Sequence, residues 1–348
     1  MKRIGILTAG GDAPGLNAAI RGVVKAASVS YNMETVGFYL GMKGLVENNF
    51  RLIQETSGFL TRGGTILKTS REKPFKGEGR EEKLRGILET YRSHNLEALV
   101  ILGGNGTQKT AQLIHQELGL PVVTLPKTID NDIAGTDVSF GFSSAVEIAT
   151  EAIDRVHTTA TSHNRVMIIE VMGHKAGWIG LEAGMASGSD IILIPEIPFS
   201  LERVYQAIHR RVAMEKDSTI ICVAEGAISQ EEQTLSSSEL AAKRKYRSVG
   251  QRLARKIEKY TGYESRLTVL GYVQRGGSPN AFDRNLATIL GSSVVKMIQE
   301  ERFGNMAAFV GGRPIAVPLS AIEGQLKKVE QDNIYLEAAR SIGVSFGE

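Results

Sequence analysis

Residues 4–27 read IGILTAGGDAPGLNAAIRGVVKAA. The segment starts with a short apolar run, continues through a glycine pair at Gly10 and Gly11, and then shows small and apolar residues near helical spacing from Asn17 onward. Parallel strands need a crossover connection, usually a helix, so a buried strand that leads through glycine into a helix is typical of a parallel sheet. This stretch therefore predicts an α/β protein.

The same pattern recurs along the chain. Short apolar runs that end at glycine or proline predict further strands at residues 98–102, 122–125, 167–171, 191–194 and 219–224, and apolar spacing predicts helices at 107–118 and 144–156. In such sheets, ligands bind beyond the carboxyl ends of the strands, where the glycines stand here. Residues 229–248, rich in Glu, Gln, Ser and Lys, are interpreted as a solvated loop and helix.

The composition narrows the class of protein. A chain of 348 residues is long enough for two domains, and a net charge of +3 gives no reason to expect a nucleic-acid or membrane partner. We find no apolar run near the roughly 20 residues that span a bilayer and no signal-peptide pattern. The single cysteine, Cys222, excludes an intrachain disulfide. We expect a cytoplasmic protein.

Two glycine-rich segments follow predicted strands. Residues 10–17 (GGDAPGLN) and 103–107 (GGNGT) would let backbone N–H groups approach an anion at a helix start. Neither fits a common nucleotide motif, because Gln108 stands where a Walker A loop requires glycine and neither has the G-x-G-x-x-G order. An ordinary strand–helix turn explains the first segment equally well, but two such loops favour a polyphosphate ligand.

A third segment, residues 126–132 (PKTIDND), places a lysine, a hydroxyl group and two carboxylates close together. Phosphoryl transfer needs a carboxylate to accept a hydroxyl proton, a cation for phosphate and an oxygen ligand for Mg²⁺. Lys127, Thr128, Asp130 and Asp132 can supply these groups. An Asp-rich turn with satisfied caps is the alternative, and the neighbouring glycine loops favour chemistry.

At these residues the sequence resembles the 6-phosphofructokinase family. Five ordered blocks carry the resemblance: residues 10–21 (GGDAPGLNAAIR), 63–71 (GGTILKTSR), 127–132 (KTIDND), 170–173 (EVMG) and 270–279 (LGYVQRGGSP). The resemblance implies two Rossmann-like three-layer domains with mostly parallel sheets and an active site in the cleft between them. It implies that residues 1–141 with about 274–325 bind the phosphoryl donor, and that 142–273 with about 326–348 bind fructose 6-phosphate.

The resemblance also implies individual roles. Asp130 matches the base that takes the proton from the sugar 1-hydroxyl, Thr128 contacts the transferred phosphoryl group, and Asp132 lies near Mg²⁺. Matches to the sugar-phosphate site, besides Thr128 and Asp130, are Arg165, Met172, Gly173, His174, Glu225, Arg266, Tyr272 and Arg275, and matches to the donor site are Gly11, Arg71, Gly104, Asn105, Gly106 and Thr107.

Arg165 and Arg266 match arginines that reach across from a neighbouring subunit in the family. This implies a homodimer or homotetramer whose active sites are completed across subunits. Two other positions differ from the usual pattern: His174 replaces an arginine beside the transfer site, and Tyr272 replaces a common histidine ligand of the sugar phosphate.

Three positions bear on the identity of the phosphoryl donor. Asn105 stands where the family usually has a Mg²⁺-binding aspartate, and Lys127 is usual in pyrophosphate-using members, which typically carry aspartate at the position of Gly106. An unobstructed Gly106 favours ATP, and Lys127 is added to the catalytic set as a phosphate-binding cation. Pyrophosphate is the alternative donor. Because of Asn105 and His174, a catalytically weak regulatory or structural paralogue is a further alternative.

Overall fold

The computed structural model describes residues 2–162, 165–216 and 218–348. The chain divides into two compact units. The first contains the residues up to Ser144 together with Arg275–Leu326, and the second contains Ala145–Gln274 together with Lys327–Glu348. Each unit is built around its own sheet, and both confirm the predicted α/β class.

The first unit contains a seven-stranded sheet in the order β11-β10-β5-β4-β1-β2-β3. The inner pairs are parallel, and the pairs β2–β3 and β10–β11 at the two edges are antiparallel. The strands are β1 (Lys2–Thr8), β2 (Met33–Phe38), β3 (Phe50–Leu52), β4 (Leu96–Gly103), β5 (Val122–Pro126), β10 (Asn305–Val310) and β11 (Arg313–Pro318).

Helices cover both faces of this sheet. Ile4 and Ile6 of β1 are fully buried in an apolar cluster with the first helix and the long helix before β10, whereas Leu7 packs into the opposite cluster with the third and fourth helices. This alternation is what a strand covered on both faces requires. The helices are α1 (Leu16–Tyr31), α2 (Met42–Val46), α3 (Arg80–Ser93), α4 (Asn105–Leu118), α10 (Ala281–Gln299) and α11 (Leu319–Ile322), and α5 (Phe142–Thr161) continues into the second unit.

The second unit contains a parallel four-stranded sheet in the order β7-β8-β6-β9. Its strands are β6 (Val166–Val171), β7 (Ile191–Leu193), β8 (Thr219–Ala224) and β9 (Ser265–Val269). Its helices are α6 (Trp178–Ala186), α7 (Leu201–Ala213), α8 (Ser237–Tyr246), α9 (Val249–Thr261) and α12 (Ile334–Ser341), with short 3₁₀ helices at Glu232–Thr234 and Gly271–Arg275.

Each strand and helix predicted from the pattern is present. The segment 229–248, interpreted as solvated, contains α8 but also a buried carboxylate. Glu232 is 5% exposed and pairs with Lys243 at 3.1 Å and with Arg252 at 3.2 Å. The two cations explain how a charged residue is buried in a polar segment. None of the helices in the described residues combines the length and apolarity that a membrane crossing requires.

Candidate active site

Three adjacent strands of the first unit carry the three predicted phosphate segments. The strands β5, β4 and β1 are neighbours and parallel. The segments 10–17, 103–107 and 126–132 follow β1, β4 and β5 or begin at their last residue. Parallel strands end at the same sheet edge, so the fold brings these segments together where α/β proteins bind ligands.

Gly11 lies directly against the guanidinium of Arg275. A Cβ atom on Gly11 would be 2.6 Å from Nη1 of Arg275, so a larger residue here would displace that guanidinium. The same Nη1 donates a hydrogen bond to the backbone oxygen of Asp12 at 3.1 Å. The Nε of Arg275 is buried without a hydrogen-bond partner among the described residues. A buried guanidinium N–H of this kind indicates an acceptor that arrives with a ligand.

The second glycine segment forms the start of α4. Gly104 is its N-cap, with no side-chain cap, and the N–H of Thr107 bonds back to the Gly104 oxygen at 2.8 Å. Asn105 donates from Nδ2 to the backbone oxygen of Asp132 at 3.2 Å, which ties this segment to the one after β5. A Cβ atom on Gly106 would meet no described atom within 4 Å. The helix start is therefore open at the predicted donor site.

Lys127 is buried between these segments. It is 3% exposed, and its Nζ donates a hydrogen bond to the backbone oxygen of Gly11. Burial, and next the nearby charge of Arg275, lower the pKa of Lys127 to about 8, while Asp12, Asp130 and Asp132 act in the opposite direction. A buried ammonium whose charge is disfavoured is stabilised when an anion binds beside it.

Asp130 lies in a turn that is held from both sides. It is 9% exposed, and its backbone N–H donates to Oγ1 of Thr128 at 3.1 Å. The next residue, Asn131, has a φ of 51°, and its Oδ1 accepts from the N–H of Ser139 at 3.1 Å. The hydroxyl of Ser139 donates to the Thr128 oxygen at 2.8 Å. Asn131 and Ser139 therefore fix the turn that carries Asp130.

Arg71 ends a segment that is bonded to the first glycine loop. The N–H of Gly10 donates to the oxygen of Ser70 at 3.1 Å, and Oγ1 of Thr69 donates to the Gly10 oxygen at 2.7 Å. Arg71 itself is exposed. Arg71 thus directly follows the residues that bond to the loop after β1.

In the second unit, the ends of β6 and β8 meet at His174. The N–H of His174 donates to Oε1 of Glu225 at 2.9 Å. Gly173 has a φ of 139° and His174 a φ of 52°. Positive φ angles favour glycine, so Gly173 suits this sharp turn, whereas His174 must be held in it by its surroundings. A Cβ atom on Gly226 would lie 2.1 Å from the His174 oxygen, so this turn packs tightly onto the end of β8.

Gln274 is a residue that the sequence did not single out. It is fully buried, its Oε1 accepts from the N–H of Met172 at 3.3 Å, and its Nε2 donates to the Gly271 oxygen at 3.2 Å. It therefore joins the turn after β6 to the 3₁₀ helix that carries Tyr272, whose side chain is 77% exposed. Its place in the LGYVQRGGSP block is the only sequence signal that could have found it.

Arg165 and Arg266 share one acidic partner. Nε of Arg165 lies 2.6 Å from Glu264, Arg266 also pairs with Glu264, and its Nη1 lies 3.8 Å from Glu258. The two arginines lie close together because Val166 of β6 pairs with Ser265 of β9, and each arginine is next to one of these residues in the chain. Because exposed ion pairs contribute little stability, a phosphate can compete for these guanidinium groups.

A metal ion would find few protein ligands here. The described residues contain no group of three or more His, Cys, Asp and Glu side chains that could hold one. Mg²⁺ is often bound through one or two carboxylates together with substrate phosphates. Asp132 and Asn105, joined by the hydrogen bond described above, fit that arrangement because Asp132 supplies one carboxylate and Asn105 an amide oxygen.

The predicted site residues form two groups, one in each unit. The first unit contains Gly11, Arg71, Gly104, Asn105, Gly106, Thr107, Lys127, Thr128, Asp130, Asp132 and Arg275, and the second contains Arg165, Met172, Gly173, His174, Glu225, Arg266 and Tyr272.

Comparison with known proteins identifies the family. Residues 3–298 match the phosphofructokinase family model. The chain is 51% identical to an ATP-dependent 6-phosphofructokinase of Spirochaeta thermophila over 100% of this chain and 98% of that protein. It is 43% identical to a pyrophosphate–fructose 6-phosphate 1-phosphotransferase of Streptomyces coelicolor, over 99% of this chain and 100% of that protein.

A solved structure gives the same result. The phosphofructokinase of Pichia pastoris superposes with a TM-score of 0.80 at 33% identity, covering 92% of this chain, which spans 35% of that longer chain. With the phosphate segments, the buried lysine and Asp130 at the edge of one sheet, these matches show that the chain belongs to the phosphofructokinase family.

Proposed function

We propose that this protein phosphorylates fructose 6-phosphate at its 1-hydroxyl, with Mg-ATP as the donor and fructose 1,6-bisphosphate as the product, a step of glycolysis. The observation that carries the proposal is Asp130, a carboxylate held in a fixed turn beside a buried lysine and two glycine-rich segments. The full-length similarity to an ATP-dependent 6-phosphofructokinase supports it.

Asp130 acts as the general base. The sugar hydroxyl must lose its proton as it attacks the terminal phosphorus, and a carboxylate in a fixed turn can accept that proton without rearranging. Thr128 lies in the same turn and contacts the transferred phosphoryl group. Lys127 supplies positive charge as negative charge moves towards the leaving group.

The donor binds at the first unit. Its phosphates contact Gly11, Arg71 and the start of α4 from Gly104 to Thr107, where the N-cap residue makes no side-chain cap and a helix N-terminus favours an anion. Gly106 supports ATP because the space beside its Cα is open. Mg²⁺, when bound with the nucleotide, neutralises phosphate charge; Asp132 and Asn105 are the residues that would hold it.

The sugar phosphate binds at the second unit together with residues of the first. Glu225 accepts hydrogen bonds from sugar hydroxyls, and the turn Met172, Gly173 and His174 approaches the sugar ring. We further propose that Arg165 and Arg266 bind the 6-phosphate of a neighbouring copy, so that a homodimer or homotetramer has complete sites. Tyr272 and Arg275 are the remaining residues proposed to bind the sugar phosphate.

In this proposal the first unit binds the donor and the second binds the sugar phosphate. The enzyme acts in the cytoplasm. The single cysteine, Cys222, is consistent with a reducing compartment.

Pyrophosphate is the second candidate donor. Lys127 favours it, since a buried lysine can bind the phosphates of either donor, and the Streptomyces coelicolor relative is named for pyrophosphate. ATP is larger than pyrophosphate, and in this proposal its α-phosphate and nucleoside occupy the open space beside Gly106. Pyrophosphate lacks both groups and does not need that space.

A donor assay tests the proposal. Purified enzyme with fructose 6-phosphate and Mg²⁺ is given ATP or pyrophosphate, and fructose 1,6-bisphosphate is measured. We expect kcat/KM to be higher with ATP. Higher kcat/KM with pyrophosphate establishes the second candidate. Ligand-induced thermal stabilisation without turnover with either donor establishes a regulatory paralogue.

Substitution of Gly106 tests whether ATP binds in the open space beside this residue. A Cβ atom at residue 106 would meet no described atom within 4 Å, so we expect both Gly106→Ala and Gly106→Asp to fold. We expect Gly106→Asp to lower kcat/KM with ATP by about ten-fold or more through repulsion of a phosphate, while Gly106→Ala stays near wild type. An equal effect of the two variants contradicts an electrostatic clash at this position.

A further inference from the structure

Asn17 is a fully buried amide in the first turn of α1. Asparagine is a poor helix former, and a buried amide is costly unless its hydrogen bonds are made. This side chain does not cap its own helix. It bonds instead to a segment that lies about fifty residues further along the chain, which indicates a role for that distant segment.

The bonds of Asn17 are all to backbone groups. Nδ2 donates to the oxygen of Arg62 at 3.0 Å and to the oxygen of Gly63 at 3.2 Å. Oδ1 accepts from the N–H of Ile66 at 2.8 Å. One side chain thus holds the start of the segment 62–71 at three points, and only an amide has both the donors and the acceptor to do so.

The other end of the segment 62–71 is bonded to the loop after β1. Oγ1 of Thr8 donates to the oxygen of Lys68 at 2.8 Å. Thr69 and Ser70 bond to both backbone groups of Gly10, as described above. The segment therefore connects Asn17 to Gly10 on one side and to Arg71 at its end.

The segment also touches the chain that follows Arg275. A Cβ atom on Gly63 would lie 2.1 Å from the oxygen of Gly277, so the two backbones are in direct contact. The hydroxyl of Ser278 donates to the oxygen of Thr61 at 2.7 Å. These contacts fix the segment 62–71 from a further direction, and a shift of the segment would move Arg71.

We propose that Asn17 is a positioning residue for donor binding. It contacts no donor atom itself; by fixing the segment 62–71 it holds Arg71 and the Gly10–Gly11 loop in the arrangement that binds the donor phosphates. This inference rests on the proposed function, because that function assigns these groups to the donor.

The test compares Asn17→Asp with a control that weakens the same unit elsewhere. Aspartate has the same shape and keeps one acceptor for Ile66, but it loses both donors and places a carboxylate against two carbonyl oxygens. The control is Ile87→Val, in the apolar cluster on the opposite face of the sheet, a cluster that contains none of the proposed site residues. Both variants and the wild type are examined as full-length protein by thermal unfolding, ATP titration and steady-state kinetics.

We expect Asn17→Asp to weaken ATP binding and raise KM for ATP by about ten-fold to 100-fold, the range for losing one or two charge-assisted contacts. KM for fructose 6-phosphate and kcat at saturating ATP stay within about three-fold. A merely structural role lowers the folded, active fraction and so reduces kcat without changing KM for ATP. Unchanged KM for ATP in folded Asn17→Asp, or an equal rise in Ile87→Val, overturns the proposal.

A second variant decides the matter if Asn17→Asp does not fold. Thr69→Val removes the hydroxyl that bonds the segment to Gly10 and leaves Asn17 in place; it also raises KM for ATP, and no rise overturns the proposal. The wild-type donor assay separates the proposed donor from the positioning role of Asn17. If the wild type uses pyrophosphate, the proposed donor is wrong. The rise in KM in Asn17→Asp is then measured with pyrophosphate, because the positioned groups bind phosphate in either donor.

Discussion

Oε1 of Glu225 accepts a hydrogen bond of 2.9 Å from the backbone N–H of His174, a residue held at a φ of 52°. A left-handed conformation at a residue other than glycine costs free energy and persists only when its surroundings hold it. Glu225 at the end of β8 is the partner that holds this turn. The carboxylate thus has a structural task besides its proposed contact with sugar hydroxyls.

Substitution of Glu225 separates these two tasks. Glu225→Gln keeps an oxygen acceptor for the His174 N–H, so we expect its unfolding free energy to match wild type, whereas Glu225→Ala loses the bond at a cost of about 1 kcal/mol. Urea unfolding measures the difference. In both variants we expect KM for fructose 6-phosphate to rise, because the charge is lost. Equal stability of the two variants contradicts the structural role.

Asp130→Asn tests the proposed base. The amide has the same shape and cannot accept the proton, so we expect kcat to fall by about 10²-fold to 10⁴-fold. Binding of ATP and fructose 6-phosphate, measured by titration calorimetry, stays close to wild type. Glu89→Gln, on the exposed side of α3, is the control and keeps full activity. A kcat near wild type in Asp130→Asn excludes this mechanism.

Much of the fold follows from local patterns in the sequence. The run at the start of β1 is apolar at successive positions because both faces of its sheet are covered, as the buried Ile6 and Leu7 show. The sequence predicts that the backbone at Gly11 closely approaches an anion. The structure adds that Arg275, far away in sequence, already occupies the adjacent space.

The supporting residues could not be predicted in the same way. Asn17, Ser139 and Gln274 support the site through hydrogen bonds to positions as far as 102 residues away. Composition and spacing carry no information about such partners. Only the assembled sheet brings them within hydrogen-bonding distance.

Cys222 is expected to be chemically inert in the folded protein. It lies in the middle of β8, and burial raises the pKa of its thiol to about 12. The reactive form of cysteine is the thiolate, so a thiol reagent should not label the native enzyme or reduce its activity. In urea the single thiol becomes reactive, and Cys222→Ala provides the blank. Rapid labelling of the native protein contradicts the buried position.

The charge of Lys127 should make stability depend on pH. Burial lowers the pKa of this lysine from 10.5 to about 8 in the folded protein. Between these two values the unfolded chain binds more protons than the folded one, so the free energy of unfolding rises with pH in this window. Below about 8 the cost of burying the ammonium is fully present. Lys127→Met carries no such charge and removes the dependence.

The measurement is urea unfolding of wild type and Lys127→Met, below pH about 8 and near pH about 10, the window set by the two pKa values. We expect the stability advantage of Lys127→Met to shrink as pH rises. Phosphate binding acts in the opposite direction, because an anion beside Lys127 raises its pKa; a saturating donor should therefore move the transition to higher pH in wild type and have no such effect in Lys127→Met. A constant difference between the two proteins across this window means that Lys127 is not a desolvated ammonium in the folded enzyme.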